Sequence, residues 1–442
     1  MKKSLLTAAG ITAAFALSLA LFAGCPTDGG GGDVDPPVLN AGNVVSTLYW
    51  ATVSFTSNKA GTWYYVALPV SDSAPDAGVI KAQTAEIKGT GSAAAGTNTF
   101  TVTDLTSEAG TYTAYIVAED AEGNSSGVLA VPGIRAGSMN LLPAALFSGA
   151  VINAIAYGNG IYVAGAANGS MAWSEDAAEW TEISAGTGAG ESQFSSSVLT
   201  VIYANNIFVA GGINGQTAWS ADGKNWTAGT GLPGDAWIST IVWDGTRFVA
   251  AAATRKICTS TDGKTWSVQD PDLSITTIAG IAYGNGRYVV VGTNSDATNG
   301  RQLAWSDNLT TWTGKTHAEI QGMLGAYVQA FNAVTFARGI FVAVGQAGKI
   351  AWSDNGETWN TTTGSPFGSS YSSQPINAVT YANGAFVAAG GSGTMGWSPD
   401  GNTWNTIEAH DKVFGTSIIR GLTWGGGKFV AVGANGKIAY SE

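Results

Sequence analysis

From about residue 150 to the C-terminus one unit of sequence recurs, and a fixed-period repeat restricts the fold more than any other feature of this chain. Its clearest copy is Ile340 to Trp359, IFVAVGQAGKIAWSDNGETW, where short apolar runs switch abruptly to Gly, Asn and Asp. Aligned on the aromatic that ends the first run, the copies fall at Tyr157, Tyr203, Trp243, Tyr283, Phe336, Tyr381 and Trp424, spaced by 46, 40, 40, 53, 45 and 43 residues. Each copy holds a run such as INAVTY, a short turn, a second run such as AFVAA and a Gly-rich turn. A third run such as KIAWS follows, then a tight polar turn and a brief run that opens with Trp. Short runs rich in Val, Ile, Tyr, Phe and Trp, punctuated by Gly, Asn and Asp, read as strands joined by hairpins. No window offers ten residues of helical periodicity free of Gly. Four strands per period make a propeller blade, and a blade cannot bury both its faces alone, so seven copies must stack around an axis.

The third run shows how neighbouring blades pack. Trp173, Trp219, Trp305, Trp352, Trp397 and Tyr440 each follow a small residue, at Ala172, Ala218, Ala304, Ala351, Gly396 and Ala439. Successive side chains point to opposite faces, so each blade offers an aromatic ring to one neighbour and a shallow surface to the other. Cys258 takes the small position in the third copy and reads as a buried thiol. The seventh copy stops at Glu442, before its fourth strand, and would leave a sheet edge unpaired. The apolar segment Asn140 to Phe147, NLLPAALF, is expected to supply the missing strand and close the ring.

The turn after the third run reads SEDAAEW from Ser174, SADGKNW from Ser220, STDGKTW from Ser260, SDNLTTW from Ser306, SDNGETW from Ser353 and SPDGNTW from Ser398. This motif resembles the Asp box of sialidase-type and related propellers, one residue shorter than its usual form, over roughly residues 145–442. As a turn device, Asp222, Asp262 and Asp400 can accept backbone N–H bonds, Gly223, Gly263, Gly356 and Gly401 can take positive φ, and the Trp can staple the turn to the sheet. Asn308 and Asn355 replace the carboxylate without changing the spacing, which speaks against catalysis or calcium binding by these residues.

Ahead of the repeats the chain is modular. Lys2 and Lys3 precede an apolar stretch that ends in LFAGC, and this resembles a bacterial lipoprotein signal over residues 1–25. The resemblance implies a lipidated Cys25 and a protein held in the cell envelope by acyl chains; Pro26 after the Cys points to the outer membrane or the cell surface. Residues 26–36, with four consecutive Gly, read as a flexible tether. Residues 37–135 read as a β-sandwich with strands at ATVSFTS from Ala51, GTWYYVALP from Gly61, TNTFTVTD from Thr97, GTYTAYIVAED from Gly110 and SGVLAVPG from Ser126. The run from Asp104 resembles the end of a fibronectin type III or bacterial immunoglobulin-like domain. The expected fold is therefore all-β: an Ig-like β-sandwich that spaces a seven-bladed β-propeller, residues 140–442, away from the membrane.

A net charge of −11 argues against nucleic acid. Two Cys exclude a disulfide framework, and the two His, His317 and His410, stand in no metal-ligand spacing, so no cofactor or metal is expected. Sialidase chemistry needs three convergent Arg. Arg247, Arg287 and Arg338 sit by first-to-second hairpins, while only Arg255, Arg301 and Arg420 lie toward the opposite, loop-rich face. There, four residues before the aligned aromatics, stand Asn153, Leu199, Ser239, Ala279, Asn332, Asn377 and Arg420, a mostly polar position inside apolar strands. It is expected to ring the mouth of the axial channel, with Asn153, Asn332, Asn377 and Arg420 as binding residues. Loops on that side carry Trp237, Arg255, Arg301, Tyr327, Tyr371 and Phe414, suited to a rim that grips a peptide or stacks on sugars. The sequence thus reads as a monomeric envelope lipoprotein whose propeller binds a protein or glycan without catalysis. A sialidase-like glycosidase and an assembly factor for envelope complexes are the alternative readings.

Overall fold

The computed structural model describes residues 33–441 apart from 47–49, 104, 106–109, 136, 138, 253–254, 272, 295–299, 325–329, 363–364, 369–373 and 408–412. Cys25, most of the tether, Tyr327, Tyr371 and His410 lie outside the described residues.

Two sheets form the first domain. β1 (Leu39–Ser46), β2 (Ala51–Ser57) and β5 (Gly96–Val102) pair in the order β1-β2-β5. β4 (Ile87–Ala93), β3 (Gly61–Pro69), β6 (Thr111–Glu119) and β7 (Leu129–Arg135) pair in the order β4-β3-β6-β7. All pairings are antiparallel, and the inward faces close on Phe55, Tyr65, Phe100, Leu105, Tyr112 and Ile116, a two-sheet β-sandwich. The five expected strands are present. β1, β4 and a one-and-a-half-turn helix, α1 (Ala77–Ala82), were not legible in the sequence.

Residues 152–441 fold into seven four-stranded antiparallel sheets, the blades of the propeller. Six are continuous meanders. The seventh takes its outer strand from β8 (Met139–Leu141), which pairs Leu141 with Ala439, Asn140 with Tyr440 and Met139 with Ser441. The expected closure is therefore present, one residue earlier than Asn140 and only three residues long. The rest of that segment leaves the strand, and Leu142 and Leu146 donate backbone bonds to Ile438 and Gly436. After the fourth strand of blade 4, Thr313–Thr316, the chain continues into α2 (His317–Leu324), which no helical period in the sequence announces.

The turns between third and fourth strands are built alike whichever oxygen they carry. Asp222 Oδ1 accepts N–H bonds from Lys224 and Asn225 at 2.9 and 2.8 Å, and Asn308 Oδ1 accepts them from Thr310 and Thr311 at 2.9 Å each. The opening Ser hydroxyl accepts the N–H three residues on, as in Ser220 to Gly223 at 2.8 Å, and the closing indole donates back, as in Trp226 to the Gly223 carbonyl at 3.2 Å. Gly223 sits at φ +70°; Ala177 and Leu309 hold the same place at φ +68° and +69°, a strain that their packing must offset. Ala172, Ala218, Cys258, Ala304, Ala351 and Ala439 are fully buried, and burial pushes the Cys258 thiol up to about 12. Trp173 and Trp219 are half-buried, each capped at 3.9 Å by the ammonium of Lys224 or Lys264 from the next blade's turn.

Trp397, on blade 6, is covered by an indole instead of an ammonium. Trp50, at the threshold of β2, supplies it: it stacks on Trp397 with ring centroids 5.1 Å apart, meets Phe429 edge-on, and donates its indole N–H to the Asn383 carbonyl at 3.0 Å. Both indoles are essentially excluded from solvent. Asn383 belongs to a first-to-second hairpin, so the sandwich is docked on the hairpin side of the ring rather than strung beside it. The start of the described chain lies at the other end of the sandwich, where Lys59 pairs with Asp33 at 2.6 Å. β2 separates those two ends by about 20 Å.

Candidate functional site

In a four-stranded meander the fourth-to-first and second-to-third loops gather at one end of every sheet. The first strands begin there, at Ile152, Val198, Ile238, Thr277, Phe331, Ile376 and Ile419. Near each start the ladder slips by one residue. Ile152 pairs with Ala166 and Ala154 with Gly165, which leaves Asn153 without a partner. The same slip leaves out Leu199, Ser239, Ala279, Asn332, Asn377 and Arg420. Each blade thus carries a β-bulge at one common place, and a bulged residue is re-aimed out of the alternation. That is why a mostly polar position could interrupt an apolar strand.

These seven residues line an axial cavity of about 590 Å³. Beside each stands a small residue, Ala154, Thr200, Thr240, Gly280, Ala333, Ala378 or Gly421, and next a branched aliphatic, Ile155, Val201, Ile241, Ile281, Val334, Val379 or Leu422. The cavity therefore has a polar entrance layer, a layer of short side chains that leaves space, and an aliphatic layer. Arg420 is the one charged group in its lining, and no carboxylate, His or Cys lines it among the described residues.

The entrance layer is partly committed to holding the ring together. Asn153 Nδ2 donates to the Val198 carbonyl at 2.9 Å, Asn332 Nδ2 to Ile376 at 2.8 Å and Asn377 Nδ2 to Ile419 at 3.1 Å, each reaching the first strand of the next blade. Ser239 Oγ contacts the Ile278 carbonyl at 2.8 Å across the following joint. One N–H of each half-buried amide is thus committed to the next blade. Arg420 is exposed and joins no ion pair among the described residues.

The rim differs from expectation. Trp237, the residue just ahead of the blade 3 strand, is 48 % exposed, and Arg255 is exposed in the second-to-third turn of the same blade. Phe414 is not a rim residue: it is 1 % exposed and packs with Met395, Trp397 and Ile419, because an aromatic in a long loop buries most area by folding under that loop. Phe194 and Phe367 are buried in the same way. Arg301 is half-buried on a third strand, with its guanidinium 3.3 Å from the Trp312 carbonyl, so it braces the outer part of blade 4. Sequence reasoning missed Ile418, 37 % exposed, which precedes the blade 7 strand as Trp237 precedes that of blade 3. In a ring of seven those two blades stand nearly opposite. The repeat alignment held this signal, since both residues lie two before the bulge.

On the hairpin side two of the three Arg residues have carboxylate partners, and Arg338 is exposed. Arg247 pairs with Asp244 at 3.0 Å, and Arg287 pairs with Asp307 at 2.7 Å and with Glu357. Three carboxylates that lie close together, Asp33, Asp120 and Glu122, are at the far end of the sandwich, where Lys59 already pairs with two of them. His317 contacts Gln302 at 2.6 Å at the start of α2.

No family model matches the chain, and no curated protein matches it in sequence. Its fold is similar to that of two solved structures. One is YCF48 bound to D1 peptide, at 16 % identity and a TM-score of 0.51, covering 69 % of this chain and 96 % of that one. The other is YCF48 from Cyanidioschyzon merolae, at 14 % identity and a TM-score of 0.51, covering 69 % of this chain and 98 % of that one. Such identities establish the β-propeller fold alone.

Proposed function

We propose that this protein is a cell-envelope lipoprotein, anchored through Cys25 at the outer membrane or cell surface, whose propeller binds a protein partner on its loop-rich face without catalysis. The observation that carries the reading is the axial cavity, a concave site with apolar walls, a polar entrance and a single cation. The placement of the sandwich supports it: the domain nearest the anchor docks on the hairpin side, so the cavity mouth faces away from the membrane. Peptide binding by the YCF48 propeller that shares this fold supports a protein over a glycan partner. Hydrolysis of glycosides needs two carboxylates flanking one bond, and none lines the cavity among the described residues.

The test is capture from envelope extracts by the full chain in detergent. A partner retained by the wild type and by Arg338→Ala, on the hairpin side, is expected to be lost with Trp237→Ala combined with Arg255→Ala. Equal retention by all three proteins, or hydrolysis of a sialoside by the wild type, refutes the reading.

A further inference from the structure

We infer that the cavity mouth takes an acidic peptide, an extended segment of a partner whose carboxylate pairs with Arg420 while a nearby apolar side chain packs on Trp237 or Ile418. The inference rests on the loop-rich face being the protein-binding one, and it assigns the chemistry of what is bound there.

Charge is the first argument. Arg247 and Arg287 have carboxylate partners and Arg301 a carbonyl, whereas Arg420 stands on a bulge, exposed, in a lining that offers no carboxylate among the described residues. A guanidinium fork fits a carboxylate through two parallel bonds, and the aliphatic layer beside it lowers the local polarity and strengthens that pairing.

Hydrogen-bond supply is the second. With one Nδ2–H of each of Asn153, Asn332 and Asn377 bound to the neighbouring blade, the entrance keeps its amide oxygens, half of its amide N–H groups and one cation. Backbone N–H groups and a carboxylate match that set. A sugar brings hydroxyls that call for several donors at once, and each of these three amides already has one of its two N–H groups committed to the ring. The third argument is the placement of exposed apolar groups. Trp237 and Ile418 flank the mouth from nearly opposite blades, so a chain crossing it can rest a side chain on either while its carboxylate reaches Arg420.

A random heptapeptide library displayed on phage, panned against the full chain in detergent, tests this. Enriched peptides are expected to carry Asp or Glu within a few residues of an aromatic or branched aliphatic. For a synthetic peptide of the strongest clone, replacing that acid by its amide, or Arg420 by Ala, is expected to weaken binding about tenfold or more. Arg420→Lys should recover part of the loss, and a melting curve for Arg420→Ala that overlays the wild type separates lost binding from lost fold. Enriched peptides without an acidic residue overturn the inference, as does affinity unchanged in Arg420→Ala. So does Arg420-dependent binding of uronate or sialate oligosaccharides in place of peptides. If the captured partner depends on Trp237 and Arg255 but not on Arg420, this inference falls and the loop-face reading stands.

Discussion

At the tip of each turn between third and fourth strands one side-chain oxygen holds two backbone N–H groups; Asp176, Asp222, Asp262 and Asp400 supply it as carboxylate, Asn308 and Asn355 as amide. Burial works to raise the Asp222 carboxyl, but the N–H groups of Asn225 and Lys224, the Asn225 amide and the Ser220 hydroxyl outweigh it and hold the group at about 2. A carboxyl depressed on folding stabilises the native state fully above its ordinary value near 4, and the contribution fades as pH falls toward 2. Asp222→Asn keeps the turn and removes the titration. Wild type is therefore expected to melt above the variant at pH 7, with the difference closing between about pH 4 and 2. A difference independent of pH across that range contradicts this. The turn was legible at this scale because six copies repeat it in register. The bulge was not: a position read as polar within an apolar strand gives its chemistry, but one extra residue in a ladder leaves no mark on a period that already varies from 40 to 53. Phe414 was misplaced because burial of an aromatic depends on where its own loop folds back.

Among the elements, the strands missed in the sandwich are both edges. β1, LNAGNVVS, and β4, IKGTGSA, pair on one side only and bury little, so neither needs the apolar alternation that marks β2, β3 and β6. The helices α1 and α2 are six and eight residues long, too short for a helical period to declare itself. β8 was legible only through a deficit, the missing fourth strand of the seventh copy. Deleting residues 139–147 opens the edge of Ile438–Ser441. It is expected to lower the melting temperature by roughly 10 °C and to promote association through that edge, read by calorimetry and light scattering. An unchanged transition would show that the ring closes without it.

Across the whole molecule the sandwich is part of the ring's packing. Trp50 covers Trp397 as Lys224 and Lys264 cover Trp173 and Trp219, and no repeat alignment could show this, because the residue lies outside the repeats. Trp50→Ala is expected to cost about 3 kcal/mol and to split one calorimetric transition into separate sandwich and propeller steps. A single transition at the wild-type temperature would mean that the two domains are merely adjacent.

β8 joins the sandwich to the ring and also runs antiparallel beside the last strand, with Met139 opposite Ser441. A tug on the N-terminus against a load held at the opposite pole therefore slides β8 lengthwise along its neighbour. All the bonds of that short ladder must then yield together instead of unzipping in turn, so the joint is strongest along the line from the N-terminus to the loop-rich face.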